Sequence, residues 1–282
     1  MTNAYRLFHR PGLIADRFGS IAVLYRYEGQ CKLSSEALHK VAEQLKDELG
    51  LTAVWQKEFF IDRNRNAPKS ILLCGENEPT VEATENGLRY LIRPEEGYSP
   101  GLFLDQRENR KFLRERSRGK RVCNGFAYTC GFSVAAAAGG AVETVSVDLS
   151  KKYLEWGKAN FALNSLEGNH RFISKDIFSW AKRAGLFDLV VLDPPSFSRS
   201  KETGAFSLKK DIGKLLELGA KLVAPGGEFF FSCNHSEVSS DYLKRRLKEV
   251  TEREIEWLDL PLPPKEFPFQ TFPLKMFLAC LQ

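Results

Sequence analysis

The run Phe187-Asp188-Leu189-Val190-Val191-Leu192 passes directly into Asp193-Pro194-Pro195-Ser196-Phe197. A short segment that is apolar but for one residue has the length and composition of a strand buried on both faces, the kind that parallel sheets contain. The prolines end it, because neither has an N–H and each holds φ in a narrow range. A parallel strand needs a crossover connection, so the neighbouring sequence must supply an α/β fold, and a carboxylate at such a strand's end stands where open α/β sheets bind ligands. Asp193 and Pro194 would form a rigid lip of acceptors suited to a planar, amino-bearing edge; the plain alternative is a turn.

The flanking sequence meets that demand. Strand patterns at 120–123, 141–147, 171–174, 187–192 and 228–233 alternate with helical patterns at 131–138, 151–164, 177–184 and 206–223. A helix at 238–250 and two strands at 254–259 and 275–281 follow, one of these strands antiparallel because no helix parts them. The order predicts a doubly wound, mostly parallel seven-stranded sheet of the α/β class. Residues 1–95 differ. Strands at 21–25 and 53–60, a helix at 34–49 capped by Ser34 and a hairpin about Asn86-Gly87 predict a small α+β domain. The larger domain is expected over 96–282.

Composition narrows the class. No apolar run is long enough to span a membrane, and the first residues lack the apolar core of a signal peptide, so a cytoplasmic protein is expected. The six cysteines (31, 74, 123, 130, 233, 280) never occur as C-x-x-C and are joined by only four histidines, which argues against a metal site and a disulfide framework. The net charge of +5 is modest but clustered: eight cations lie within 107–121, and smaller groups are Lys244, Arg245, Arg246, Lys248 and Arg63, Arg65, Lys69. Such clusters are either an electrostatic footprint for phosphates or solvated helix faces.

Between the first strand and helix of the larger domain stands Asn124-Gly125-Phe126-Ala127-Tyr128-Thr129-Cys130-Gly131. Its glycines let a ligand approach the backbone but are not spaced as G-x-G-x-x-G, so the dinucleotide fingerprint is absent. The next strand ends at Asp148, placed to accept ribose hydroxyls, and the third near Asp176-Ile177, a carboxylate for an adenine amino group with an apolar neighbour for the ring. Adenosine partners without a phosphate loop fit S-adenosylmethionine better than a nicotinamide cofactor. Each aspartate alone reads as a helix N-cap; Asp148, Asp176 and Asp193, three at the ends of the second, third and fourth strands, point to one ligand.

Residues 124–141, 146–150, 161–164, 193–197 and 101–107 together resemble the bacterial 23S rRNA methyltransferases, the cytosine-C5 branch first and the guanine-N7 branch close to it. Gly12 to Gly19 is similar to the opening of that family's middle domain. The resemblance implies a class I methyltransferase fold, S-adenosylmethionine as donor and RNA, large-subunit rRNA above all, as partner. It implies that Phe126, Ala127, Tyr128 and Gly131 line the methionine part, that Asp148 and Leu149 adjoin the ribose, that Asp176 and Ile177 hold the adenine, and that Asp193 and Pro194 border the transferred methyl. Asp105, Gln106 and Arg107 would close over the donor. Two departures stand out: Cys130 occupies a position where the family has glycine, and the PUA-type RNA-binding domain that opens most members is expected to be missing.

Carbon 5 of cytosine is a weak nucleophile, and a thiolate adding at carbon 6 activates it. Cys233, at the end of the 228–233 strand, resembles the family nucleophile, with Asp193 beside the base. Asn234 also makes Ser232-Cys233-Asn234 similar to the guanine-N7 branch, where positioning alone suffices. Both routes stay open here, as do a non-RNA substrate, a relative without catalysis and a homodimer.

Overall fold

The computed structural model describes residues 1–60, 68–200, 204–235, 237–267 and 274–282, with backbone only at 198–200 and 205, so Arg63 and Arg65 lie outside the described residues. The chain divides into two compact units: Met1–Arg107 with Pro264–Pro268, and Glu108–Pro263 with Phe269–Gln282.

In the first unit, β1 (Ala4–Arg10), β2 (Leu13–Phe18), β3 (Ile21–Tyr27), β4 (Ala53–Phe59) and β5 (Lys69–Gly75) form a sheet in that order. Only β3 and β4 pair in parallel, and α1 (Ser35–Leu49) makes their crossover. The Ser34 hydroxyl accepts from the Ala37 N–H at 3.2 Å, and Leu38 and Ala42 bury the inner face. β6 (Val81–Glu85) and β7 (Leu88–Ile92) form the hairpin, with positive φ at both Asn86 (50°) and Gly87 (78°), as a type I′ turn requires. Strands β1, β2 and β5 escaped the sequence reading. Their polar members serve the fold: Arg6 donates to Asp16 at 2.8 and 3.3 Å and lies 4.1 Å from the centre of the Phe267 ring, while Arg107 pairs with Glu266. Buried Lys57 donates to Ser70 Oγ and to the carbonyls of Glu96 and Gly97, and burial draws its pKa down to about 8.

The second unit opens with α2 (Arg107–Glu115) and then alternates β8 (Arg121–Gly125), α3 (Gly131–Ala138), β9 (Glu143–Asp148), α4 (Lys151–Leu163), β10 (Asn169–Ser174), α5 (Ile177–Ala181) and β11 (Phe187–Leu192). A ribbon of β12 (Phe197–Ser200) and β13 (Gly204–Ser207) comes next, then α6 (Leu208–Leu222), β14 (Val223–Cys233), α7 (Ser240–Val250), β15 (Ile255–Leu258) and β16 (Lys275–Leu281). The sheet order is β10-β9-β8-β11-β14-β16-β15, parallel except that β16 runs antiparallel between its neighbours. This is the doubly wound seven-stranded sheet expected, and the chain reverses direction across the sheet between β8 and β11.

Alternation along the strands builds two cores. Val190, Leu192, Phe229 and Phe231 pack with Leu215 and Leu216 of α6 and Leu243 and Leu247 of α7. Leu189, Val191 and Phe230 point the other way, against Leu113 of α2 and Phe132 of α3. The ribbon was unexpected; residue 206 was read as helical. Instead α6 begins at Leu208, where the Asp211 carboxylate of the first turn accepts from the Ser207 N–H at 3.1 Å and so satisfies a donor at the helix start.

No helix among the described residues is long and apolar enough to cross a membrane. A Cβ on Gly219 would stand 2.1 Å from Cζ of Phe229, so α6 lies close on that ring. Gly219→Ala is expected to lower stability by about 1–3 kcal/mol, measured by urea denaturation, through overpacking of this core.

Candidate functional site

Parallel register brings the strand ends of the second unit to one edge. Gly125 pairs with both Val147 and Leu192, and Ser174 with Asp148, so β8, β9, β10 and β11 finish within about a residue of one another. Asp148, Asp176 and Asp193 therefore share that edge, each at the exit of its strand, and Cys233 ends β14 beside β11.

The loop after β8 is held by its neighbour. Val147 C=O accepts from the Ala127 N–H at 3.0 Å; Asp148 Oδ2 accepts from the Tyr128 N–H at 2.9 Å and Oδ1 from the Ser150 N–H at 2.8 Å. Burial pushes the Asp148 carboxyl up and these N–H groups pull it back, leaving it raised. Phe126, Tyr128 and Cys130 all have positive φ (58°, 49° and 63°). For residues with a Cβ such a backbone costs about 1–2 kcal/mol each, and it persists only where the surroundings over-determine it. The Tyr128 ring lies edge-on to Tyr153 of α4, with centroids 4.5 Å apart, while Ala127 is buried and Gly131 begins α3.

Gly125 is closely packed. A Cβ there would meet Leu192 Cδ2 at 2.5 Å and Ile177 Cδ1 at 3.0 Å. Ile177 is thus drawn across the sheet to the β8 terminus, forming an apolar wall beside the loop. Asp176 caps α5, its Oδ1 accepting from the Ser179 N–H at 3.0 Å, and Leu149 is exposed beside Asp148.

On the far side of β11, Ser232 Oγ donates to Asp193 Oδ1 at 2.8 Å, while Pro194 is buried and Ser196 donates to the Asn234 carbonyl. Cys233 is fully buried with Phe231 and Leu243; burial first, then the Asp193 charge, pushes its thiol up to about 12. His235 Nδ1 accepts from the Glu237 N–H. Asp105, Gln106 and Arg107 lie in the first unit, where 104–106 form a single 3-10 turn and Gln106 is buried. Among the described residues, no three His, Cys, Asp or Glu side chains gather as a metal would need.

Two sequence signals read differently in three dimensions. The cations of 107–121 do not all stand open: Lys111 and Arg118 are exposed, but others are drawn into the fold. Arg110 is buried, Arg116 and Lys120 converge on Glu228, and Arg121 pairs with Glu143. Cys130, where the resemblance expects glycine, points into the layer between sheet and helix: a Cβ on Gly157 of α4 would stand 2.3 Å from its sulfur, and the thiol donates to the Tyr128 carbonyl. A residue the sequence reading passed over is Phe206 of the ribbon. Its ring lies 5.7 Å from that of Phe126 and 6.3 Å from that of Phe178, and no local periodicity announces those contacts.

A family model described as S-adenosylmethionine-dependent methyltransferase matches residues 11–270. A ribosomal RNA large subunit methyltransferase K/L from Hahella chejuensis is 43% identical over 166 residues, covering 58% of this chain and 23% of the relative. One of the same name from Pseudoalteromonas atlantica is 32% identical over 250 residues, covering 85% of this chain. The chain spans 36% of that relative's length. Among solved structures, a protein designated a methyltransferase and complexed with SAH superposes with a TM-score of 0.87 at 31% identity, over 99% of this chain and 75% of its own. A methyltransferase of Agrobacterium tumefaciens, at 19% identity and a TM-score of 0.73, shares the fold.

The Cys130–Gly157 contact can be tested directly. Gly157→Ala is expected to cost about 1–3 kcal/mol in a thermal or urea melt, and adding Cys130→Gly to remove most of that loss. Additive losses would show that the two positions do not compensate one another.

Proposed function

The chain belongs to the S-adenosylmethionine-dependent methyltransferase family, and we propose that it methylates a base of large-subunit ribosomal RNA at a ring nitrogen of guanine by direct transfer. The residues at the sheet edge fit the family's donor. Gly125 leaves room for Ile177 and Leu192 to close over the β8 terminus, and Ile177 there forms the apolar wall beside the loop. Asp148, anchored by two N–H groups with lone pairs to spare, accepts the ribose hydroxyls. Ile177 lies against the adenine, Asp176 accepts its amino group, and Phe126, Ala127, Tyr128 and Gly131 line the amino-acid end. Bound there, S-adenosylmethionine supplies an electrophilic methyl group on a sulfonium.

Asp193, oriented by the Ser232 hydroxyl, receives the amino edge of the target base, and Pro194 keeps that lip rigid. The base is thereby held with a ring lone pair towards the methyl, and catalysis is positioning. The large-subunit RNA target is supported by the relatives' names.

The choice of atom rests on one observation, the burial of Cys233 with its thiol pushed up to about 12. The alternative, methylation of cytosine C5 through a Cys233 adduct, needs an accessible thiolate. The raised pKa means the thiolate is scarce through the neutral range and gains about tenfold per pH unit only as pH climbs towards 12.

Two measurements test this reading. Purified protein with S-adenosylmethionine and unmodified large-subunit rRNA is expected to yield methylguanosine by nucleoside mass analysis, with Cys233→Ala within about threefold of the parent. A loss of about a thousandfold or more, or methylcytidine as product, would return the reaction to the covalent route. Separately, Cys233 in the folded protein should resist iodoacetamide at pH 8, and alkylation at the rate of an ordinary thiol would remove the argument from burial.

A further inference from the structure

We propose that Phe206, carried by the ribbon between β11 and α6, is a positioning residue for the methyl donor. Its ring touches two aromatic residues that stand beyond different strand ends, one in a loop and one in the first turn of a helix. Phe126 follows Gly125 at the end of β8, and Phe178 follows Asp176-Ile177 beyond β10. These strands are not neighbours, since β9 lies between them. One side chain from a third element thus joins the loop of the amino-acid end to the start of α5 at the adenine end.

The backbone explains why such a brace is needed. Phe126 holds φ at 58°, a conformation that lasts only under outside constraint, and its amide neighbours are tied to β9 while its ring is tied to Phe206. Phe206 is itself only partly buried, as befits a residue at the rim rather than in the core. Register secures its position: Phe206 pairs with Ser198 and Ser207 with Phe197, so the ribbon folds back on the chain that has just left Asp193-Pro194-Pro195. The same excursion therefore carries the acceptor-side lip at one end and the donor brace at the other.

This inference rests on the placement of the donor at the β8–β10 edge but not on which base is methylated. The test is calorimetric titration of S-adenosylhomocysteine into the full chain, with apo melting temperature alongside. Phe206→Ala is expected to weaken binding by roughly three- to tenfold, the range one lost aromatic contact produces. Phe206→Tyr, which keeps the ring, should return affinity to within about twofold. If the alanine variant fails to fold, Phe206→Leu carries the same expectation of weaker binding. Asp148→Ala serves as the reference: should it leave binding intact, the donor site itself is misplaced. Should Asp148→Ala abolish binding while folded Phe206→Ala changes only the melting temperature, the ring is mere packing and the proposal falls.

Discussion

The parallel pairing of β8 with both β9 and β11 fixes where every polar group at the active edge can stand. Strands that run together end together, and their loops must turn away within a few residues of a common line. Glycine at the β8 terminus then lets Ile177 and Leu192 close over the strand end. The Asp148 carboxylate fastens the β8 loop to β9 through the Tyr128 N–H and reaches its own helix through Ser150. Left-handed backbone at Phe126, Tyr128 and Cys130 is tolerable because the hydrogen bonds and ring contacts around it leave no alternative. A pre-set loop of this kind keeps its groups in place without help from a ligand, so any binding there has less ordering to impose.

The seven-stranded sheet and the shared edge where its strands end were legible because buried parallel strands are written in local composition. The runs ending at Asp148 and Asp193 need only a few residues to declare themselves, and the aspartates follow directly. In the first unit the Ser34 cap and the Asn-Gly turn were equally local. Illegible were features settled by partners far along the chain. β1 and β2 carry Arg6 and Asp16 in place of an apolar alternation, because the two neutralise each other under Phe267. The ribbon is short and polar, and Phe206 looks like a helix residue until its distant ring partners are known.

Charge was the poorest guide. The second unit holds 26 lysines and arginines against 20 carboxylates, so the chain's positive excess resides there. Of the eight cations in the densest run, however, Arg116, Lys120 and Arg121 pair with Glu143 and Glu228 on strands well downstream, while Lys111 and Arg118 stay exposed. These pairs thus tie α2 and the start of β8 to the body of the unit. Cysteine was ambiguous for the same reason: Cys130 and Cys233 look chemically prominent in sequence, yet both are buried with thiols pushed up by their surroundings. Cys130 is accommodated by a glycine on the facing helix.

The return of Pro264–Pro268 to the first unit has a consequence for biogenesis. Proteins emerge from the ribosome amino end first, and domains generally fold as units in that order. Here the earliest strands wait for a late arrival: Arg6 lacks its ring until Phe267 is made, and Arg107 its carboxylate until Glu266. The first unit therefore cannot complete these two contacts until the whole of α3 to β15 has been synthesised.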